Sequence, residues 1–200
     1  MKKILLLSCF LFATISLWSQ NVGGGLQLGF NASQVDGDGV GGFNRAGFSV
    51  GGFVTYELQK NLHIRPEILF EQLGSATRQQ LILSTNHISI PLLIQASIPI
   101  SLDDGVQRIQ VVAGPVIGIL LSAKDFNDDV TASLNRTDFR ITAGAAYRFS
   151  EQWSISLRYG YSLTSFVKVN TPLSAALLVG ARAGVAHHYA NFSLNFHLAE

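Results

Sequence analysis

The sequence predicts an all-β fold, an eight-stranded antiparallel up-and-down transmembrane β-barrel, and three observations carry that prediction. The first is a hairpin over Phe139 to Thr164. Phe139, Ile141, Ala143, Ala145, Tyr147 and Phe149 alternate with Arg140, Thr142, Gly144, Ala146 and Arg148. After Ser150-Glu151-Gln152, Trp153, Ile155, Leu157, Tyr159, Tyr161 and Leu163 alternate with Ser154, Ser156, Arg158, Gly160 and Ser162. Successive strand side chains point to opposite faces, so one face is apolar and the other carries arginine among small residues. The second observation is that eight such segments are joined by connections that alternate between short and long. The third is an apolar leader with no second apolar run of spanning length behind it.

Met1-Lys2-Lys3, an uncharged run from Ile4 to Trp18 and then Ser19-Gln20-Asn21 give the signature of a secretory signal peptide, assigned to residues 1–19, with the barrel domain at 20–200. The run is short for a membrane helix, which needs about 20 residues. Cys9, the one cysteine, lies inside this leader. The mature chain therefore offers neither a disulfide nor a thiol nucleophile. Without Lys2 and Lys3 it carries 12 basic and 13 acidic residues, which gives no reason to expect nucleic acid. An exported, apolar, cysteine-free chain is then a periplasmic protein, a secreted one or an outer-membrane barrel.

Strand one is predicted over Gly23 to Ser33, with Leu26, Leu28, Phe30 and Ala32 outward. Residues 35–45 form a Gly/Asp-rich loop, and strand two, Ala46 to Leu58, turns at Gln59-Lys60-Asn61. Strand three, Leu62 to Gly74, sets Leu62, Ile64, Pro66, Ile68 and Phe70 against His63, Arg65, Glu67, Leu69 and Glu71. Loop two is assigned to 75–86 and strand four to His87 to Ile100. Strand five follows Asp103-Asp104-Gly105 and spans Arg108 to Ser122, apolar on both faces. Loop three is 124–137. The hairpin supplies strands six and seven, loop four covers 165–186, and strand eight ends near Leu198. Long connections after strands one, three, five and seven place both termini in the periplasm. Pro66, Pro91, Pro99 and Pro115 fall in predicted strands, where each removes a ladder donor, so bulges or strand ends are expected there.

Several segments together resemble the PorT-like, "porin family" outer-membrane β-barrel proteins of Bacteroidetes-type bacteria. They are Gly47-Phe48 through Gly51-Gly52-Phe53, Arg65-Pro66-Glu67-Ile68-Leu69-Phe70, Ile90-Pro91-Leu92-Leu93, Ala113-Gly114-Pro115, and Gly144-Ala145-Ala146-Tyr147 with Ser156-Leu157-Arg158-Tyr159. The resemblance implies an eight-stranded barrel in the outer membrane of a Gram-negative bacterium, and in-strand prolines as family features. The chain departs from the pattern at its end, His197-Leu198-Ala199-Glu200, where such barrels often close on an aromatic, and in its apolar loop four.

Facing inward, Glu67, Glu71, Arg65, Arg140, Arg148 and Arg158 are predicted to form a lumen charge network, with His63 on the same face and Glu57 and Arg108 toward one end. An eight-stranded barrel is just wide enough to be filled by side chains, and buried charges there must pair. Tyr56, Phe149, Trp153 and Phe196 are the expected interface aromatics. His87 with Ser89, and His187-His188, lack an orienting carboxylate at a suggestive spacing, so no catalytic residue is assigned. Asp36-Gly37-Asp38-Gly39 and Asp125, Asp128 and Asp129 lack calcium-loop spacing, so no metal or cofactor is assigned. The expected function is non-enzymatic: a side-chain-filled barrel with a structural or interaction role through loops 35–45, 75–86, 124–137 and 165–186, with outer-membrane lipid around it. A narrow diffusion channel and a soluble periplasmic ligand-binding barrel are the alternatives.

Overall fold

The computed structural model describes residues 22–35, 42–76, 81–102, 105–125, 128–165 and 186–199. The leader assigned to residues 1–19 and most of loop four lie outside them. The strands are β1 (Val22–Val35), β2 (Arg45–Gln59), β3 (Leu62–Ala76), β4 (Leu81–Leu102), β5 (Gly105–Asp125), β6 (Asp128–Asp129), β7 (Thr137–Arg148), β8 (Trp153–Ser162) and β9 (His187–Ala199). They pair in the order β4-β3-β2-β1-β9-β8-β7-β5, and a β4–β5 pairing closes the ring. All these pairings are antiparallel. β6 is a two-residue ribbon on the end of β5 and stands outside the ring. The result is a closed, eight-stranded antiparallel barrel, which leaves no sheet edge among its long strands.

Both faces of each strand follow the period-two pattern. Outward positions hold large apolar side chains, among them Leu28 at 62 %, Ile68 at 64 % and Leu157 at 59 % exposure, and this belt runs around the ring. A belt of that extent far exceeds the apolar patches of a water-soluble monomer and matches a lipid-facing surface. Inward positions are buried and mostly polar, from Gln27, Asn31 and Ser33 on β1 to Asn191, Ser193 and Asn195 on β9. Burial of these groups is tolerated because they bond to one another: Asn191 Nδ2 donates to Asn31 Oδ1 at 2.7 Å and to Ser49 Oγ at 2.8 Å, and the Ser156 and Ser193 hydroxyls meet at 2.6 Å.

One end of the ring carries tight connections. β2 and β3 are joined through Lys60 and Asn61, whose φ of 66° is left-handed, a conformation asparagine adopts more readily than most residues. Tyr56, Phe149, Trp153 and Phe196 lie toward this end, and the Trp153 and Phe196 rings are 4.9 Å apart. β1 begins and β9 ends there too, with Gly24 paired to Ala199.

The opposite end corrects the predicted loop two. Residues 75–86 are largely strand: Ser75 and Ala76 complete β3, Leu81 to Asn86 begin β4, and only 77–80 lie outside the described residues. Here the two faces exchange polarity. Gln72, Asn86 and Ser122 form an outward polar row just above Phe70 and Ile88, with Asn86 Nδ2 donating to Ser122 Oγ at 2.9 Å, while Leu73, Leu83, Leu120 and Ala123 are buried inside. A sheet that leaves lipid for water must turn its apolar side inward, so this row marks the upper edge of the lipid-facing band. In β4 the band starts at Ile88 and in β9 at Ala190. Above it, Val35, Leu83, Leu120, Ala123 and Leu134 form one buried apolar cluster with Ile82 and Val130 against it. Loop three also proves partly ordered: β6, a 3₁₀ turn at Thr131–Ser133 and Leu134 fold back onto β5, with Val130 N–H donating to Ala123 O at 3.0 Å.

The prolines sit neither at the register shifts nor all at strand ends. Pairing of β2 with β3 stops at Phe53–Glu67 and resumes at Tyr56–Ile64, skipping Pro66. β3 and β4 skip the partner position of Pro91 in the same way, and β4 and β5 that of Pro115. Each proline therefore costs the ladder toward one neighbour and leaves the other intact, which a ring held on both sides can absorb.

Candidate functional site

The lumen holds its charges in two clusters, and the strand register decides their membership. Arg65 and Glu67 are two residues apart on β3 and so share its inner face. Arg65 Nε donates to Glu67 Oε1 at 2.6 Å. Arg158, on β8 across the lumen, grips the same carboxylate with both terminal nitrogens: Nη1 to Oε2 at 2.7 Å and Nη2 to Oε1 at 2.9 Å. This is the two-pronged geometry that suits a guanidinium and a carboxylate. Arg65 spends its other donors on Gln95 Oε1 at 3.3 Å and Asn195 Oδ1 at 3.1 Å, and its Cζ lies 3.7 Å from the Phe53 ring centre. Phe53 meets His197 edge-on, and Ser154 Oγ and His197 Nε2 are 3.1 Å apart. Together these groups floor the barrel.

The second cluster lies nearer the other end. Arg140 Nη1 donates to Glu71 Oε2 at 3.0 Å and Nη2 to Ser89 Oγ at 2.7 Å, while the Ser89 hydroxyl donates to Glu71. Arg140 Nε stands 3.2 Å from Asp138 Oδ2, and Asp138 also accepts from Ser162 Oγ at 2.9 Å. Three arginines thus meet three carboxylates, all buried. Such balance is what a low-dielectric interior requires, because a lone buried charge is costly. Leu69, Leu93, Val112 and Val116 are buried inside the barrel with them.

Of the six residues predicted for the network, Arg65, Glu67 and Arg158 meet in one cluster and Glu71 and Arg140 in the other. Arg148 joins neither. It is buried near the tight-turn end, where Nε donates to Ser150 O at 3.3 Å and Nη2 donates to Glu151 O. Its role there is to hold the β7–β8 turn through backbone carbonyls. Asp138 is the member that sequence reasoning missed. Its alternation with Arg140 and the hydroxyls of Ser162 and Thr164 across the hairpin were the available signal.

His87 and Ser89 share the inner face, yet Ser89 Oγ belongs to Glu71 and Arg140, and neither His87 nitrogen has a hydrogen-bond partner among the described residues. They do not form a nucleophile and base pair. Asp36 and Asp38 lie outside the described residues. Asp125 and Asp129 pair in register with Asp128 and Lys124, and Thr131, through its hydroxyl first and its N–H second, holds the Asp129 carboxyl below its ordinary range. Among the described residues no group of three or more His, Cys, Asp or Glu side chains could hold a metal ion.

The packing between β8 and β9 also depends on Gly160. A Cβ there would lie 2.2 Å from Tyr189 Cζ, because that ring occupies the space the glycine leaves. Gly160→Val should lower stability by about 1–3 kcal/mol through overpacking. A denaturant series on the refolded barrel checks this. In a double-mutant cycle Tyr189→Ala should remove part of the loss, and strict additivity would show that the ring is not the obstacle.

Residues 18–168 match the family described as Outer membrane protein beta-barrel domain. No curated protein matches the sequence. Among solved structures, the attachment invasion locus protein Ail of Yersinia pestis is 12% identical, with a TM-score of 0.48, over 90% of this chain and 100% of that one. The N-terminal β-barrel domain of Pseudomonas aeruginosa OprF is 12% identical, with a TM-score of 0.43, over 88% and 99%. Neisserial surface protein A is 11% identical, with a TM-score of 0.48, over 86% and 96%. The match over residues 18–168, on a chain that closes eight strands around a polar interior and turns its apolar side chains outward, makes this protein a member of the outer-membrane β-barrel family.

Proposed function

We propose that the chain is a non-enzymatic outer-membrane scaffold. Residues 1–19 export it, both termini face the periplasm, and its outer loops make contacts in the cell envelope or at the surface. The finer affiliation that fits its segment order is the PorT-like group of Gram-negative, Bacteroidetes-type bacteria. The observation that carries the reading is the filled lumen. From one end to the other it is crossed by Phe53, Arg65 and His197, then Glu67 with Arg158, then Glu71, Arg140 and Asp138, and finally the apolar cluster around Leu134. A solute would have to break ion pairs to pass. The buried charges are therefore a polar core that fixes the strand arrangement, and the surfaces left for recognition are lipid and the segments 35–45, 124–137 and 165–186.

The protein reconstituted in planar bilayers should show no stable, large single-channel conductance. A steady conductance in its presence would overturn the scaffold reading in favour of a narrow diffusion channel. Unboiled and boiled samples from the membrane fraction should migrate differently on a gel. Recovery in the periplasmic soluble fraction would instead support a ligand-binding barrel.

A further inference from the structure

At the upper end of the barrel, just above the lipid-facing band, His87 on β4 and His187 on β9 reach into the lumen and meet edge-to-face, with ring centres 5.6 Å apart. Both are buried, at 2% and 0% exposure. They lie directly beneath the apolar cluster: His87 pairs in register with Leu120 and His187 with Val35, and both of those partners belong to it. The groups facing this pair can be named element by element. β3 contributes Glu71, opposite His87, and β7 contributes Arg140 and Asp138, whose charges are engaged with each other and with Glu71. β9 contributes Tyr189 and, on the outward side, His188, while β1 and β5 contribute the uncharged Val35, Gly118 and Leu120. Over the top, Leu134 is held down by Val130 N–H to Ala123 O at 3.0 Å and Ala123 N–H to Thr131 Oγ1 at 2.8 Å.

We propose that this histidine pair and the apolar cluster form an acid-released latch: below neutral pH the imidazoles take up protons and the segment from β6 to Leu134 lifts from the outer mouth. An imidazolium needs water or an acceptor, whereas His87, with no hydrogen-bond partner for either ring nitrogen among the described residues, is buried beside the Arg140 guanidinium. Desolvation, and then Arg140, lower both imidazoles below their ordinary value. The closed state therefore binds fewer protons than one in which water reaches the rings. Closure is complete above about pH 6.5, the free imidazole value, and weakens as pH falls below it. Each imidazole can shift the closed-to-open ratio by up to about tenfold per pH unit, and the two together by up to about a hundredfold.

The test uses the full chain with Cys9→Ser and one reporter. Ala123→Cys places a thiol inside the apolar cluster with little change in volume, and Thr137→Cys on the exposed rim corrects for the intrinsic pH dependence of the reagent. The labelling ratio of the first to the second should rise steeply between pH 7 and pH 5. His87→Phe with His187→Phe keeps two stacked rings without titration and should leave the ratio flat, while retaining Glu71 and Asp138. A flat ratio in the parent chain overturns the latch. A rise that persists in the double-Phe variant also overturns it and assigns the response to the carboxylates instead. Heat-modified migration establishes that each variant is folded, and if the double variant is not, His187→Phe alone should roughly halve the logarithmic slope.

Discussion

Glu67→Gln is expected to be among the most damaging single substitutions in this barrel, with a loss of about 3–5 kcal/mol, because it leaves two buried guanidiniums without a counter-charge. Arg158 binds both Glu67 oxygens and Arg65 binds one, and all three side chains are sealed from water. Urea unfolding of the protein refolded in lipid vesicles, followed by gel migration, gives the measurement. The same physics fixes the control. Replacing all three residues by apolar ones, Arg65→Met, Glu67→Leu and Arg158→Met, should recover much of the loss, because a buried ion cluster rarely outperforms well-packed hydrocarbon. Glu151→Gln, in the exposed β7–β8 turn, should stay within about 0.5 kcal/mol. If Glu67→Gln behaved like Glu151→Gln, the carboxylate could not be what compensates the two arginines.

This expectation separates what the sequence can tell from what it cannot. That Arg65, Glu67, Arg140 and Arg158 point inward follows from alternation alone, because one polar face is visible in each strand. Which guanidinium meets which carboxylate does not follow, since Glu67 and Arg158 are 91 residues apart and stand on non-adjacent strands. Their meeting depends on the stagger of the closed ring. Arg148 carried the same local signal as Arg140, yet it donates to the carbonyls of Ser150 and Glu151, a bond that no sequence pattern displays. Asp138 falls between the predicted loop three and the predicted hairpin, and only the hairpin register sets Ser162 beside it.

The boundary between lipid and water was the other illegible feature, for an instructive reason. Apolar-outward alternation is a lipid-facing code, and it inverts where the sheet rises into water. Ser84 and Asn86 then read as loop residues, although Leu83 and Thr85 beside them are among the most buried side chains of the protein. The register shift between Asn86 and His87 falls at this transition. A strand that changes solvent therefore looks like the end of a strand. The remaining boundaries differ by a few residues at strand ends, where the turn chemistry sets them only loosely.

Leu157→Arg tests the solvent of the outer face directly, and the expected cost is about 2–4 kcal/mol in a bilayer. Leu157 lies midway along β8, is 59 % exposed, and has Ala145 and Phe192 as its register partners, so it stands at the middle of the lipid-facing band. In a water-soluble barrel the same exposed position would accept arginine within about 0.5 kcal/mol. The two environments thus predict effects several-fold apart for one substitution that touches no internal contact. Thr137→Arg, exposed at the rim of β7, should cost no more than about 1 kcal/mol in either case. The depth dependence matters more than either value: a penalty that grows from Thr137 to Leu157 requires a low-dielectric layer around the barrel, whereas equal effects at both sites would mean that the apolar belt faces water or another protein.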